Sequence, residues 1–351
     1  MMTFRQFAGG LESIPTAAAW YLGDLGEARG KQELFTRQSP QKLKALREHA
    51  LIESAVSSNR IEGVVVDQAR VGTLVFGRPL LRDREEEEVR GYRDALKLIH
   101  EQGVDLPVAE ETVLRLHALV RGEIADAGRY KEQDSDIIET YPDGRRRVRF
   151  KTVPAAQTPK AMGELMEVWS ACLQERWVPP LVALAAFNLD FLCVHPFRDG
   201  NGRVSRLLLL LQCYHLGYEV GRYISLERLI EQNKERYYET LEQSSHGWRN
   251  GKHDPWPYLN YVLYTLKAAY REFEDRLGQI AAPKGAKTEM VIDAIRKASD
   301  VFRVSEIQAA CPAVSIDLIR RTLKKLREAG QVECLGTGRS ARWRKTDRWT
   351  N

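Results

Sequence analysis

The sequence has few cysteines, and none of them is spaced as a metal ligand. The five are Cys172, Cys193, Cys213, Cys311 and Cys334, and no two of them form a CxxC motif. Three lie in apolar stretches with helical spacing, where a free thiol packs as a small apolar side chain. This pattern argues against a structural zinc site and predicts a reducing compartment.

A long apolar run and a secretory leader are also lacking. The longest apolar stretch begins at Leu181 and is interrupted by Asn188 and Asp190, so it falls short of the ~20 apolar residues needed to cross a bilayer. The first residues do not combine a basic start with an apolar core. We therefore expect a cytoplasmic protein with no membrane partner.

Charge of one sign is not in large excess either. The 351 residues carry a net charge of +5, which does not by itself require a nucleic-acid partner. Hydrophobic residues make up 43% and charged residues 29%, as is usual for a globular protein. The sequence contains no long-period repeat and no low-complexity tract, and its length predicts two or three domains.

What the sequence does contain is helical spacing of apolar residues over most of its length. One N-terminal helix is expected to end at Gly63, because glycine adopts the left-handed position after a helix at low cost. A β-hairpin is predicted where Ile137-Ile138 and Val148-Arg149-Phe150 flank the turn Tyr141-Pro142-Asp143-Gly144. Helices beyond residue 80 are predicted at 85–96, 107–119, 158–174, 181–194, 204–216, 225–244 and 256–277.

The last part of the chain changes in style after a linker at 281–286. Helices are predicted at 289–297, 305–310 and 315–329, followed by strands at 331–335 and 341–345 around Gly336-Thr337-Gly338-Arg339. Helices followed by a glycine-turned hairpin predict a winged helix-turn-helix. The expected domains are an N-terminal helical segment at 1–100, a core at 101–280 and the winged helix at 281–351.

The run from His195 to Arg206 concentrates groups that handle phosphate. His195 is the candidate general base, because an imidazole titrates near neutral pH. Asp199 is the candidate Mg²⁺ ligand, since magnesium at nucleotides takes one or two carboxylates. The alternative is a plain helix–loop–helix turn with a buried histidine and a solvated charge run.

The glycines of this run predict an anion site at the start of the next helix. Gly200 and Gly202 allow a backbone with positive φ, so that their N–H groups and the amide of Asn201 would cradle phosphates at the positive end of the helix. Arg203 and Arg206 lie three residues apart and would grip the same anion.

The run resembles the signature of the Fic family, His-x-Phe-x-Asp/Glu-Gly-Asn-Gly-Arg-x-x-Arg, at every defining position. The resemblance extends over roughly the first four-fifths of the chain and implies a mainly α fold, a helical core with a β-hairpin flap. It also implies transfer of AMP from ATP, with Mg²⁺, to a Ser, Thr or Tyr hydroxyl of a protein, which could be this chain itself. Pro196 and Phe197 are expected to be structural.

Two further segments resemble regulatory and substrate-binding parts of that family. Ser58-x-x-x-Glu62-Gly63 is similar to its inhibitory helix, in which the glutamate pairs with the second motif arginine, here Arg206. The hairpin resembles its target-binding flap, for which Ile137 and Ile138 are the expected contacts. Tyr238 is expected to line the nucleotide, although a packing role for it is an equal alternative.

Rival functions remain open on the residues alone. The basic helix at 315–329 and the basic wing, including Arg339, would suit phosphate contacts on DNA, so the chain could be a DNA-binding transcriptional regulator whose core senses nucleotide. Removal of AMP from a modified protein is another alternative. A homodimer is also expected from the resemblance.

Overall fold

The computed structural model describes residues 1–349 apart from 12, 37–39, 78, 141–142, 282–285, 312–313, 337–340 and 347–348. It divides into two compact units, Met1–Glu274 and Asp275–Asn351. The predicted division at 100/101 and 280/281 stays a prediction. No helix in the described part of the chain is both long and apolar enough to cross a membrane.

The first unit is mainly helical, as predicted, with one small sheet. Its helices are α1 (Met2–Phe7), α2 (Thr16–Thr36), α3 (Pro40–Ile61), α4 (Gln68–Phe76), α5 (Arg84–Gln102), α6 (Glu110–Arg121), α7 (Thr158–Glu175), α8 (Pro180–Val194), α9 (Asn201–His215), α10 (Leu226–Gln232), α11 (Lys234–Ser245) and α12 (Trp256–Ala281). Its strands are β1 (Ile137–Thr140) and β2 (Arg146–Phe150).

Helix α8 is the centre of the first unit, and every residue from Leu181 to Val194 is buried. The two polar residues that interrupt its apolar run are satisfied inside the core. Asn188 donates to the Ser205 carbonyl at 2.7 Å, and Asp190 accepts from the backbone N–H of Thr3 at 3.1 Å. Because such a helix is enclosed on all sides, the residues at its end are held in a fixed position.

The prediction of a single helix at 225–244 was wrong, because this segment forms two helices, α10 and α11. Ser225 caps α10 by accepting from the Arg228 N–H at 3.0 Å. Asn233 leaves the helical conformation with ψ of 37° and separates the two helices. Asparagine competes with the helix for backbone hydrogen bonds, which favours such a break.

The predicted hairpin is present as the antiparallel pair β1–β2, with Ile138 opposite Val148 and an irregularity between Ile137 and Ile138. Tyr141 and Pro142 of the predicted turn lie outside the described residues. Arg149 attaches β2 to α11, because it donates to the Tyr238 carbonyl at 2.9 Å and to Glu242 at 3.0 Å.

The second unit contains α13 (Ala286–Lys297), β3 (Val301–Arg303), α14 (Val304–Ala310), α15 (Ile316–Glu328), β4 (Val332–Leu335) and β5 (Arg342–Lys345). The strands form an antiparallel sheet in the order β3-β5-β4. Strand β3 was missed because three residues carry too little alternation to be recognised. Most of the predicted linker and of the wing turn, including Arg339, lies outside the described residues, and the winged helix-turn-helix stays a prediction.

Candidate active site

The candidate site begins where α8 ends. His195 follows the last residue of the helix in the left-handed conformation (φ 53°, ψ 62°), and its N–H donates to the Phe191 carbonyl at 2.9 Å. The next carbonyl, of Pro196, accepts from the backbone N–H of Lys131 at 2.9 Å. The rigid helix thus fixes the direction in which the imidazole leaves the backbone.

Asn201 closes the loop between α8 and α9. Its amide oxygen accepts from the Phe197 N–H at 2.9 Å, and its amide nitrogen donates to the Phe197 carbonyl at 2.8 Å. Both ends of the predicted phosphate-binding amide are therefore used inside the protein. Asn201 shapes the loop, and its side-chain amide is not free for the predicted contact with phosphate.

His117 supports the same loop from α6, although the motif alone gives no hint of it. Its ring stacks on Phe197 with centroids 3.7 Å apart and an angle of 4° between the planes. Nδ1 accepts from the Gly128 N–H at 3.0 Å, so Nε2 carries the proton and donates to the Asp199 carbonyl at 3.1 Å. Burial lowers the pKa of His117 to about 4, which keeps the imidazole neutral in this role.

The imidazole of His195 is also neutral. Burial and, to a smaller extent, the nearby ammonium of Lys131 lower the pKa of His195 to about 4. An interaction with the backbone of Leu192 acts in the opposite direction, and the buried Nδ1 has no other partner among the described residues. A neutral imidazole is the form that a general base requires before it accepts a proton.

Lys131 is a buried cation at the base of the flap. Its ammonium donates to Thr152 Oγ1 at 2.7 Å and to the Val194 carbonyl at 3.5 Å. Thr152 in turn donates to the Ser135 carbonyl at 2.8 Å. The two ends of the flap and the end of α8 therefore meet at this one side chain, whose pKa burial lowers to about 8.

The two glycines have different roles. Gly200 caps α9 with φ of 84°, as predicted. The expectation of positive φ at Gly202 was wrong, because Gly202 lies in the first turn of α9, which starts three residues earlier than predicted. A Cβ atom at Gly202 would lie 2.3 Å from Glu62 Oε1, so the missing side chain leaves the room that the carboxylate occupies.

Arg206 is buried and held by the end of α3. Its Nε donates to Ser58 Oγ at 2.9 Å, and its Nη2 donates to Glu62 Oε1 at 2.8 Å and to the Ser58 carbonyl at 3.0 Å. Burial opposes the charge of Arg206, but Glu62 together with Tyr237 and Tyr92 raises the arginine pKa. A carboxylate thus sits over the first turn of α9, next to the guanidinium.

Arg203 points into a different set of partners. Its Nη1 donates to Glu88 Oε2 at 2.7 Å and to Asn59 Oδ1 at 3.4 Å, and its Nη2 lies 3.5 Å from Asp199 Oδ1. The two motif arginines therefore do not meet at one anion in this arrangement. Arg203 is paired by α5, and Arg206 is paired by the end of α3.

Asp199 is half exposed and is the carboxylate that the sequence predicts as a magnesium ligand. Although burial raises its pKa, Arg203 and Arg121 hold the pKa of Asp199 below its usual range, so the group is ionised at neutral pH. Arg121 Nη1 forms an ion pair with Asp199 Oδ2, and Arg84 Nη2 lies 3.7 Å from the same oxygen. Within the described residues no group of three or more metal-ligating side chains is found.

The remaining predicted residues lie around an apolar cavity beside the flap. Ile137 and Tyr238 both line it, together with Phe150 and Leu192. The Tyr238 hydroxyl donates to the Ile61 carbonyl at 3.5 Å, next to Glu62. Ile138 points away, with 52% of its surface exposed.

Lys131, His117, Arg121 and Glu88 were not predicted as part of the site. They reach it from α5, α6 and the segment before β1, between 63 and 115 residues away from their partners in the motif region. No spacing rule within the sequence connects positions so far apart, so only the folded chain could identify them.

A model of the Fic/DOC family matches residues 107–213, which include the loop, His117, Lys131 and the flap. This chain contains a Fic domain. Ser58, Glu62 and Tyr238 lie outside the matched residues, so the contact between Glu62 and Arg206 joins the Fic domain to a segment that precedes it.

Similar proteins and structures agree with this assignment. The chain is 23% identical over 250 residues to protein adenylyltransferase Fic of Nematostella vectensis, covering 69% of this chain and 52% of that protein. Its identity to the protein of the same name from Aedes aegypti is 24% over 216 residues, covering 58% and 39%. The chain therefore matches about half or less of the length of these relatives.

Solved structures share the fold of this chain. A Fic family protein from Desulfovibrio desulfuricans G20 superposes with a TM-score of 0.61 at 23% identity and covers 97% of this chain and 99% of its own. A Fic domain containing signaling protein from Bacteroides thetaiotaomicron gives a TM-score of 0.60 and covers 73% of this chain and 98% of its own.

Proposed function

We propose that this protein transfers AMP from ATP to a hydroxyl group of a protein side chain. The observation that carries the proposal is the loop itself, which places a neutral imidazole at the end of α8 next to the N-terminus of α9. A helix N-terminus attracts phosphate through its free N–H groups and its dipole. The relatives named protein adenylyltransferase support the same reaction.

In the proposed reaction, the target hydroxyl oxygen attacks the α-phosphorus of ATP. The bond from that phosphorus to its bridging oxygen breaks, and pyrophosphate leaves. His195 accepts the hydroxyl proton, for which its pKa of about 4 leaves it ready throughout the neutral range. A magnesium ion at Asp199 would neutralise charge on the phosphate oxygens and the leaving group.

The nucleoside and the target are proposed to lie on either side of the flap. Tyr238, Ile137 and Phe150 line an apolar cavity that would accept a flat aromatic base. The exposed side chains of Ile138 and Val148 lie on a short strand pair whose edge could pair with an extended segment of the target. Such pairing would hold the target hydroxyl in line with the phosphate.

We further propose that Glu62 restrains this activity. It occupies a guanidinium nitrogen of Arg206 and lies where a Cβ of Gly202 would be, so ATP phosphates and the carboxylate would compete for the same space and the same cation. Like charges cannot share a low-dielectric site without cost. The terminal phosphate would settle in a misaligned position while Glu62 remains in place.

The transfer reaction is tested by incubating the purified chain with ATP labelled at the α-phosphate and with magnesium. We expect label on the chain or on proteins of a lysate, and none with His195→Ala, whose circular dichroism should match the unsubstituted protein. Label bound equally by the His195→Ala protein would contradict the proposed base. In a parallel incubation with ATP labelled at the γ-phosphate, label transferred to protein without any α-label would instead show a kinase.

A further inference from the structure

The net positive charge of this chain comes from its second compact unit. Residues 275–351 hold 16 Lys and Arg against 9 Asp and Glu, a net charge of +7, whereas residues 1–274 hold 37 against 39, a net charge of −2. The modest net charge of the whole chain therefore conceals a strongly basic module. Such a module is the electrostatic footprint of binding to a polyanion.

Helix α15 presents much of this charge to solvent. Its apolar side, with Ile319, Leu323 and Leu326, packs into the core of the unit, so the helix cannot turn its charged side inward. The opposite side carries five exposed cations, Arg320, Arg321, Lys324, Lys325 and Arg327.

Three carboxylates of the unit are engaged away from these cations. Asp293 pairs with Arg296, Glu333 pairs with Arg344, and Glu306 accepts from the Arg303 N–H to cap α14. Across the described residues, no ion pair includes a cation of α15, and Arg321 donates to a backbone carbonyl, that of Asp317, at 3.3 Å. The charge of α15 is thus available to a ligand.

The spacing of these cations is unfavourable for the helix itself. Arg320 and Lys324 lie four residues apart, as do Arg321 and Lys325, and like charges at this spacing destabilise a helix. Asp317 and Glu328 lie four residues from Arg321 and Lys324, but neither pair forms an ion pair in the described part of the chain, so they do not offset this repulsion. The arrangement concentrates charge on one side of a helix, where an anionic partner would relieve the repulsion.

We propose that α15 binds the phosphate backbone of duplex DNA, lying in the major groove. A helix with its side chains is ~10–12 Å wide and the groove is ~12 Å wide. The 13 residues of α15 extend ~20 Å, a length over which a duplex presents about one charge per 1.7 Å. This binding goes beyond the proposed transfer of AMP and uses a different unit of the chain.

The test measures binding of the full chain to a fluorescent duplex of mixed sequence, about 20 base pairs long, by anisotropy at several salt concentrations. We expect the triple variant Arg320→Gln, Lys324→Gln, Lys325→Gln to bind at least about tenfold more weakly and to lower the slope of log K against log salt by about 3, because each phosphate contact contributes ~0.9. Its melting temperature should not fall, since like-charge repulsion is removed.

A matched control replaces two exposed cations of α13 in the same unit. Arg296→Gln with Lys297→Gln should change affinity by less than about twofold, because these positions lie outside the proposed contact. The His195→Ala protein should also bind DNA unchanged, so failure of this proposal and failure of the transfer reaction can be told apart.

Several results would overturn the assignment. One is the lack of binding by the unsubstituted chain at ~50 mM salt, where phosphate contacts are strongest. Another is equal binding by the α15 variant, and a third is tighter binding to single-stranded RNA than to the duplex, which would assign the face to a different polyanion.

Discussion

At the scale of single residues, Arg206 is the side chain on which the proposed reaction and its restraint both depend. It is buried, and its partners Ser58 and Glu62 come from a segment more than 140 residues earlier in the chain. A buried guanidinium needs an anion close by. In this structure Glu62 is that anion, and in the proposed active state a phosphate of ATP would take its place.

Replacing Glu62 by glycine is expected to raise the rate of AMP incorporation by about 10²-fold, the scale on which a misplacement of ~1 Å slows a reaction. Glu62 lies just outside α3, so glycine there should not disturb a helix. The rate is measured with labelled ATP at saturating magnesium.

The matched control for that change is Glu123→Gly, another exposed glutamate just past the end of a helix. It should leave the rate unchanged within about twofold, because nothing in the proposed site is altered. An equal rate for the Glu62→Gly and unsubstituted proteins would sink the inhibitory role.

Lys131 is expected to hold the flap and His195 in a fixed position relative to each other. Lys131→Met removes the ammonium that helps to lower the pKa of His195, so that pKa should rise and the acid limb of the pH–rate profile should move to higher pH. The profile is best recorded in the Glu62→Gly protein. Lys131→Arg should shift the acid limb less than Lys131→Met does, since arginine keeps the positive charge.

Lys151→Met is the control for Lys131, because that lysine lies beside Thr152 but is exposed. Its profile should coincide with that of the parent. A purely structural role for Lys131 would instead lower the rate of Lys131→Met equally at all pH values.

At the scale of elements, the site is a junction between the end of one buried helix and the start of another. Helices α8 and α9 are enclosed, and the loop between them is closed by Asn201 and by the ring of His117 on Phe197. Preorganised donors cost no rearrangement when charge develops. The rigidity of the two helices is therefore part of the proposed chemistry.

Asn201→Ala should destabilise this junction by about 1–3 kcal/mol, because it leaves the buried N–H and carbonyl of Phe197 without partners. The change is measured as the free energy of unfolding in urea. Asn250→Ala, at an exposed asparagine, should change it by less than ~0.5 kcal/mol. Equal values for the two variants would show that the amide does not close the loop.

At the scale of the whole molecule, buried neutral histidines should make the fold sensitive to acid. Burial lowers the pKa of His117 and of His253 to about 4, below the value of 6.5 for an unfolded histidine. The unfolded chain therefore binds more protons between these values, and stability falls as the pH falls from 6.5 towards 4.

Each of these two histidines should lower the free energy of unfolding by up to ~1.4 kcal/mol per pH unit in that window, in addition to the contribution of His195, whose pKa is also about 4. Urea unfolding at a series of pH values between 3.5 and 7.5, which brackets this window, would measure it. His253→Gln should flatten the dependence, because glutamine keeps polar groups for Thr3 and Gln6 without titrating. The same slope in both proteins would contradict this account.

The sequence by itself determined the features that depend on neighbouring residues. The apolar helix before His195, the glycine turn at Gly200 and the hairpin at residues 137–150 each follow from local spacing and turn chemistry, and the structure contains all three. The resemblance of the motif added the pairing of Glu62 with Arg206, a contact that is present.

Tertiary structure decided what depends on residues far apart in the chain. Folding places Lys131, His117 and Glu88 next to the loop. Both polar atoms of the Asn201 amide bond within the protein, and Arg203 and Arg206 bind different partners. These outcomes follow from burial, because a polar group removed from water takes whatever partner packing places within reach. Packing across the whole core is not written in any one stretch of sequence.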